Sequence, residues 1–205
     1  MNRSISASVS RGASSGKKCP QSIARPSRYC AVDQSIEQHH LPDSSIRIRW
    51  LIFYSQRTSV VPRYMIHPGY AIYEPGFTRL GAALARAMPG LPTSIYRFMF
   101  SDEFAWGFPA AAIHLDAHLR LLECVAPEAP CMVAGLGVDI RPLIEATVSR
   151  GGYVRVGLED APWQTPMTNA QWVKQAVEGI RKAGGEPASA KDVRAALAAI
   201  PSIHE

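Results

Sequence analysis

The sequence predicts an α/β fold, a parallel sheet of four strand–helix units behind a poorly structured N-terminal extension. Three observations predict it. From about residue 66 onward, short apolar runs alternate with amphipathic stretches. Each connection between apolar runs is long enough to hold a helix, as a parallel crossover requires. By contrast, residues 1–60 contain 13 Ser and show no clear helical or strand period before Ile46. Such a composition buries little apolar surface and reads as irregular.

The elements follow in order. Residues 70–73 form the first strand, and Pro75-Gly76 leads into a helix over 77–88. That helix groups Phe77, Leu80, Ala83, Leu84 and Ala87 on one apolar face, and Pro89-Gly90 stops it. Residues 95–100 are the second strand. An aromatic loop over 101–109 then leads to a helix over 114–125. Residues 132–134 open the third strand, which ends in Gly135-Leu136-Gly137. A helix over 139–149 follows, with Asp139 as N-cap and Pro142 in its first turn, and Gly151-Gly152 ends it. Residues 153–156 are the fourth strand, and helices over 169–183 and 189–200 close the chain.

Right-handed crossovers allow two architectures for these units, an open doubly wound sheet or part of a (β/α)8 barrel. Composition does not choose between them. It does divide the chain into an irregular Ser- and Arg-rich extension, residues 1–65, and an ordered segment, residues 66–205.

The formal net charge of +5 invites a nucleic-acid reading, but its distribution argues against one. Residues 1–60 hold nine Lys and Arg against three acids, whereas residues 61–205 hold 13 against 14. The ordered segment offers no basic footprint, so nucleic acid is not an expected partner, and binding through the tail ranks last. No apolar run reaches the length of about 18 residues that a membrane span needs. No signal-peptide block opens the chain, so a cytoplasmic location is expected. The acid-poor start also resembles an organelle transit peptide, although no clear amphipathic helix accompanies it. Cys19, Cys30, Cys124 and Cys131 lack the spacing of a zinc or redox pair and read as incidental thiols.

Functional residues in both architectures gather at the carboxyl ends of the strands. Those ends carry Glu74, then Ser101-Asp102-Glu103, then Gly135-Leu136-Gly137, then Gly157-Leu158-Glu159-Asp160. The glycine pair reads as a tight turn. Alternation places Arg155 on the face of Tyr153, beside the carboxylates that project from the strand end. An Arg there is expected to hold Glu159 and Asp160 ionised, which suits a metal ligand or general base; a structural ion pair is the alternative. His114 and His118 share a helix face at i, i+4 and are expected to be surface or helix-start residues rather than ligands. His39-His40, His67 and His204 have no chemical context.

The stretch Tyr153-Val-Arg-Val-Gly-Leu-Glu-Asp160, with Gly151-Gly152 before it and Thr168-Asn169-Ala170 after it, resembles the β-keto acid cleavage enzymes. Tyr73-Glu-Pro-Gly-Phe77, Phe104-Ala-Trp-Gly-Phe-Pro109 and Met132-Val-Ala-Gly-Leu-Gly137 resemble the same family, over about residues 66–200. The resemblance implies a (β/α)8 TIM barrel that binds Zn2+. It implies cleavage of a β-keto acid with acetyl-CoA, giving acetoacetate and a new CoA thioester. It assigns Glu159 as a zinc ligand, Asp160 as the base, Arg155 as its assistant and Glu74 as a further active-site acid, with the aromatic loop covering the substrate. A homo-oligomer is expected.

The family takes its other two zinc ligands from a His-x-His pair, and this sequence contains none. Catalytic zinc keeps about three protein ligands. The expectation is therefore a partial barrel, the C-terminal four β/α units of a fold that takes about 250 residues, truncated and with an incomplete ligand set. Its activity is either that of the family or, alternatively, none, the chain then acting as a barrel fragment through a partner subunit.

Overall fold

The computed structural model describes residues 67–88 and 90–200, together with the backbone of the strand Ile5–Val9. That strand, β1, lies within the extension read as irregular; the rest of residues 1–65 lies outside the described residues, as do Cys19, Cys30, His39, His40 and His204.

Gly69–Ile72 forms β2 and Ile95–Phe100 forms β3. Cys131–Gly135 forms β4 and Tyr153–Val156 forms β5. These four strands lie side by side in chain order, and every neighbouring pair is parallel. A doubly wound sheet reverses its order at a switch point, whereas an arc of a barrel does not. The strand order thus makes the choice that composition left open: the fold is a partial (β/α)8 barrel. On the far side of β5, β1 runs antiparallel, with Ile5 opposite Val156 and Ala7 opposite Val154. The two-residue strand Pro187–Ala188, β6, pairs antiparallel with β1.

The two faces of the sheet differ. Ile72, Tyr96, Phe98, Phe100, Val133, Val154 and Val156 point into one core with the helices. The opposite face carries Ala71, Arg97, Met132, Tyr153 and Arg155, all half-buried. In a closed barrel this second face is the interior.

The helices are Pro75–Ala87 (α1), Ala112–Val125 (α2), Ile144–Ser149 (α3), Asn169–Lys182 (α4) and Ala190–Ala198 (α5). Pro75 sits in the first turn of α1, where its missing N–H costs nothing. The face that α1 buries corrects the sequence reading: Thr78, Gly81, Ala82, Leu84 and Ala85 go inward, and Phe77 and Leu80 stay exposed. The cause is close approach. A Cβ on Gly81 would stand 2.8 Å from the Tyr70 ring and 2.9 Å from the Tyr96 ring, so the helix seats its small-residue stripe on the sheet.

The 139–149 segment begins as a 3-10 turn, Arg141–Leu143, before α3. Asp139 works one step earlier than an N-cap of α3, accepting the Arg141 backbone N–H at 2.9 Å. Reciprocal capping boxes start the last two helices: Thr168 with Gln171 for α4, and Ser189 with Asp192 for α5. Trp172, Ala176 and Ile180, spaced by four, fix α4 to the core. No helix among the described residues is long and apolar enough to cross a membrane.

Candidate active site

All four loops that follow β2, β3, β4 and β5 lie at one end of the sheet because the strands are parallel, and each loop is tied to the next. Glu74, after β2, accepts the Gly107 N–H of the aromatic loop at 2.7 Å. Gly107 sits at φ 81, in the left-handed region that favours glycine, and a Cβ there would stand 3.0 Å from the Tyr73 carbonyl oxygen. Ser101, at the end of β3, donates its hydroxyl to the Leu136 carbonyl at 2.7 Å, and the Leu136 N–H returns to the Phe100 carbonyl at 2.9 Å. Val138 then donates its N–H to the Asp160 carbonyl at 3.2 Å. This last contact is close: a Cβ on Gly135 would stand 2.6 Å from the Val138 oxygen and 2.8 Å from that of Asp160.

The tether holds Asp160 inward. Asp160 is 2% exposed, and Arg155 Nε donates to both of its carboxylate oxygens, at 3.1 and 3.2 Å. Arg155 Nη2 adds a third contact to the same carboxylate. Alternation along β5 put Arg155 on this face, as the sequence indicated.

Burial adds an effect that the charge pattern of the sequence does not carry. It raises the Asp160 pKa, and this outweighs the lowering by the hydrogen bonds and charge of Arg155; Glu159 adds to the rise and Arg97 opposes it. Taking a carboxylate out of water favours its neutral form, and a single guanidinium does not restore the lost hydration here. A base with a raised pKa is the stronger proton acceptor once ionised.

Glu159 differs from its neighbour. Its side chain is 66% exposed, with Oε2 at 3.6 Å from Arg155 Nη2. Among the described residues, no group of three His, Cys, Asp or Glu side chains could hold a metal ion. The described residues therefore do not by themselves fit a catalytic zinc centre, which takes about three protein ligands.

The histidines on α2 separate. His118 is fully buried, stacked on Phe98 at 4.6 Å and edge-on to Phe108 and Phe100. This corrects the expectation of a surface residue. Burial, with a smaller contribution from His114, pushes its pKa down to about 4. His114 stacks on Phe108 at 4.7 Å, and its Nδ1 lies 2.9 Å from the Pro109 carbonyl oxygen. These histidines thus hold the base of the aromatic loop. Its tip carries Phe104 and Trp106, stacked on each other at 4.7 Å and partly exposed. Cys131 is buried, with its thiol pushed up to about 11, and Cys124 is exposed.

Two residues were given no role by the sequence reading. Asn169 accepts the Leu158 N–H through Oδ1 at 3.3 Å, holding the loop that carries Glu159 and Asp160. Arg97 stands in the middle of β3 on the half-buried face. Its signal was available: a lone cation alternating with Tyr96 and Phe98 in an otherwise apolar strand.

A family model for beta-keto acid cleavage enzyme matches residues 53–198. No curated protein matches the chain.

Proposed function

The chain belongs to the beta-keto acid cleavage enzyme family, and from that premise we propose that it cleaves a β-keto acid with acetyl-CoA, releasing acetoacetate and a new CoA thioester. The observation that supports this reading is the buried Asp160 carboxylate gripped by Arg155. Carbon–carbon chemistry on a β-keto acid needs a base for the proton next to its carbonyl, and the group must be aimed as well as basic. Desolvation makes Asp160 basic, and two Arg155 contacts fix the plane of its carboxylate. The aromatic loop, tied by Glu74, stands at the same end of the sheet to exclude water.

The family resemblance implies Zn2+, which when bound would polarise the carbonyls of the keto acid. Glu159 is the single described side chain that the family resemblance assigns to the metal, and it joins no ligand cluster among the described residues.

The test is release of acetoacetate by the purified full chain, supplied with acetyl-CoA and a panel of β-keto acids. Turnover that falls roughly 100- to 10,000-fold in Asp160→Asn supports the reading. Turnover indifferent to that substitution, or absent across the panel, overturns it.

A second reading has its own support. β2 ends the sheet order, so its outer edge pairs with no other strand among the described residues. An open strand edge is a row of unpaired backbone groups that invites another chain. In this reading the chain is a barrel fragment completed by a second copy. Light scattering would then report an oligomer, unchanged by Glu159→Ala; a monomer counts against it.

A further inference from the structure

Arg97 is a cation whose surroundings among the described residues do not account for it. Its neighbours across β3 are Ala71 on one side and Met132 on the other, and neither side chain offers a strong acceptor. Its Nε is buried, with no hydrogen-bond partner among the described residues. No ion pair among the described residues involves it, because both nearby carboxylates, Asp160 and Glu159, face Arg155. Leaving a guanidinium N–H desolvated and unmatched is costly, so the position suits a group that is filled by something else.

Arg97 also stands where the chemistry is. It shares the half-buried sheet face with Arg155, and the charges of Arg155, Asp160 and Glu159 all act on it, as does the Tyr73 hydroxyl. A guanidinium offers Nε and a terminal nitrogen as a planar fork that matches two oxygens of one anion. In a β-keto acid, the carboxylate is bonded directly to the carbon whose proton the base removes. The sheet register places Arg97 level with Met132 and Tyr153, one alternation short of Arg155. It is thus a cation on the face of the Arg155–Asp160 pair and is placed for that carboxylate. The phosphates of an acyl-CoA lie at the far end of its long arm from the thioester, so they fit this position less well.

We propose that Arg97 is the residue that binds the substrate carboxylate, selecting β-keto acids over neutral ketones and esters and presenting the adjacent carbon to Asp160. The identity of the anion rests on the β-keto acid reading above; the anion site itself rests on the geometry of Arg97.

The experiment is a calorimetric titration of the full chain with acetoacetate, methyl acetoacetate and inorganic phosphate. Wild type, Arg97→Met and Arg97→Lys are compared after circular dichroism has established that each is folded. The expected result is acetoacetate binding weakened roughly 10- to 100-fold by Arg97→Met. Arg97→Lys, which keeps the charge and loses the fork, is expected to lie between the two. Methyl acetoacetate should bind all three proteins equally weakly. Equal acetoacetate affinity in wild type and Arg97→Met, or no binding to wild type, overturns the proposal. So does phosphate binding that is tighter than acetoacetate and lost in Arg97→Met. The acetoacetate-release assay separates this from the functional reading. Arg97-dependent binding without turnover removes the reaction and leaves the site; turnover with unaltered binding in Arg97→Met removes the site and leaves the reaction.

Discussion

Arg155 Nε stands 3.1 Å from one carboxylate oxygen of Asp160 and 3.2 Å from the other. Both side chains are buried, Arg155 to 12% exposure and Asp160 to 3%. The pair is thus held as a unit, and removing either member strands the other. Arg155→Leu is expected to destabilise the fold at neutral pH by about 3–5 kcal/mol. The sign of its pH dependence follows from Asp160. A carboxyl whose folded pKa is raised favours the folded state at low pH, and that contribution is lost as pH rises through the folded pKa. Without Arg155 the pKa rises further, so the deficit of Arg155→Leu should shrink on acidification. Urea unfolding across pH checks both the size and the trend.

Glu74 accepts one hydrogen bond from the aromatic loop, and the geometry gives its carboxylate a holding role. Glu74→Gln keeps an acceptor oxygen and should leave the loop in place; Glu74→Ala should release it at a cost of about 1–3 kcal/mol. Chymotrypsin, cutting at Phe104 and Trp106, reports the difference as faster cleavage in Glu74→Ala alone. Loss of turnover in Glu74→Gln with the loop still protected would instead make Glu74 a participant in the chemistry.

His118 titrates out of the ordinary range for a reason that unfolding abolishes. Its folded pKa is about 4 against 6.5 for the free side chain, so stability is present above pH 6.5 and lost as pH falls toward 4. The loss amounts to roughly 3 kcal/mol. His114 is the titratable group that bears on it, and the rings of Phe98, Phe100 and Phe108 complete its surroundings. In His118→Phe this part of the acid sensitivity should vanish. Denaturant midpoints of the two proteins between pH 7 and pH 4 measure it by difference.

Gly135→Ala tests how Asp160 is placed. The new methyl would meet two backbone carbonyl oxygens, of Val138 and of Asp160, neither of which can rotate away as a side chain does. Destabilisation of about 1–3 kcal/mol is expected, accompanied by a fall in turnover because Asp160 itself must move. A variant that loses stability but keeps full turnover would separate the β4 loop from the site.

Much of this was legible in the sequence where the signal is local. The strands Ile95–Phe100 and Tyr153–Val156 match their apolar runs residue for residue, and glycine and proline stops fix the helix ends to within a few positions. The order of strands is not local, so periodicity left barrel arc and doubly wound sheet open; the family resemblance pointed to the barrel, and β2, β3, β4 and β5 lie in chain order as a barrel arc does. The buried face of α1 was misread because apolar size pointed to Phe77 and Leu80, while the Tyr70 and Tyr96 rings demand the small Gly81 stripe. Asp160 is a second non-local case. Its nearest charge is visible in the sequence, but its burial is a property of the folded chain, in which the β4 loop binds its backbone carbonyl through Val138.

The chain of tethers from Glu74 to Gly107, Ser101 to Leu136 and Val138 to Asp160 has an implication for how such a protein changes. Each strand-end loop is anchored by atoms of the loop beside it. Grafting one loop from a relative would therefore import half of a joint and leave its counterpart behind. Exchange of substrate preference by recombination should succeed when two adjacent loops travel together, and the smallest portable module here is a pair of neighbouring β/α units.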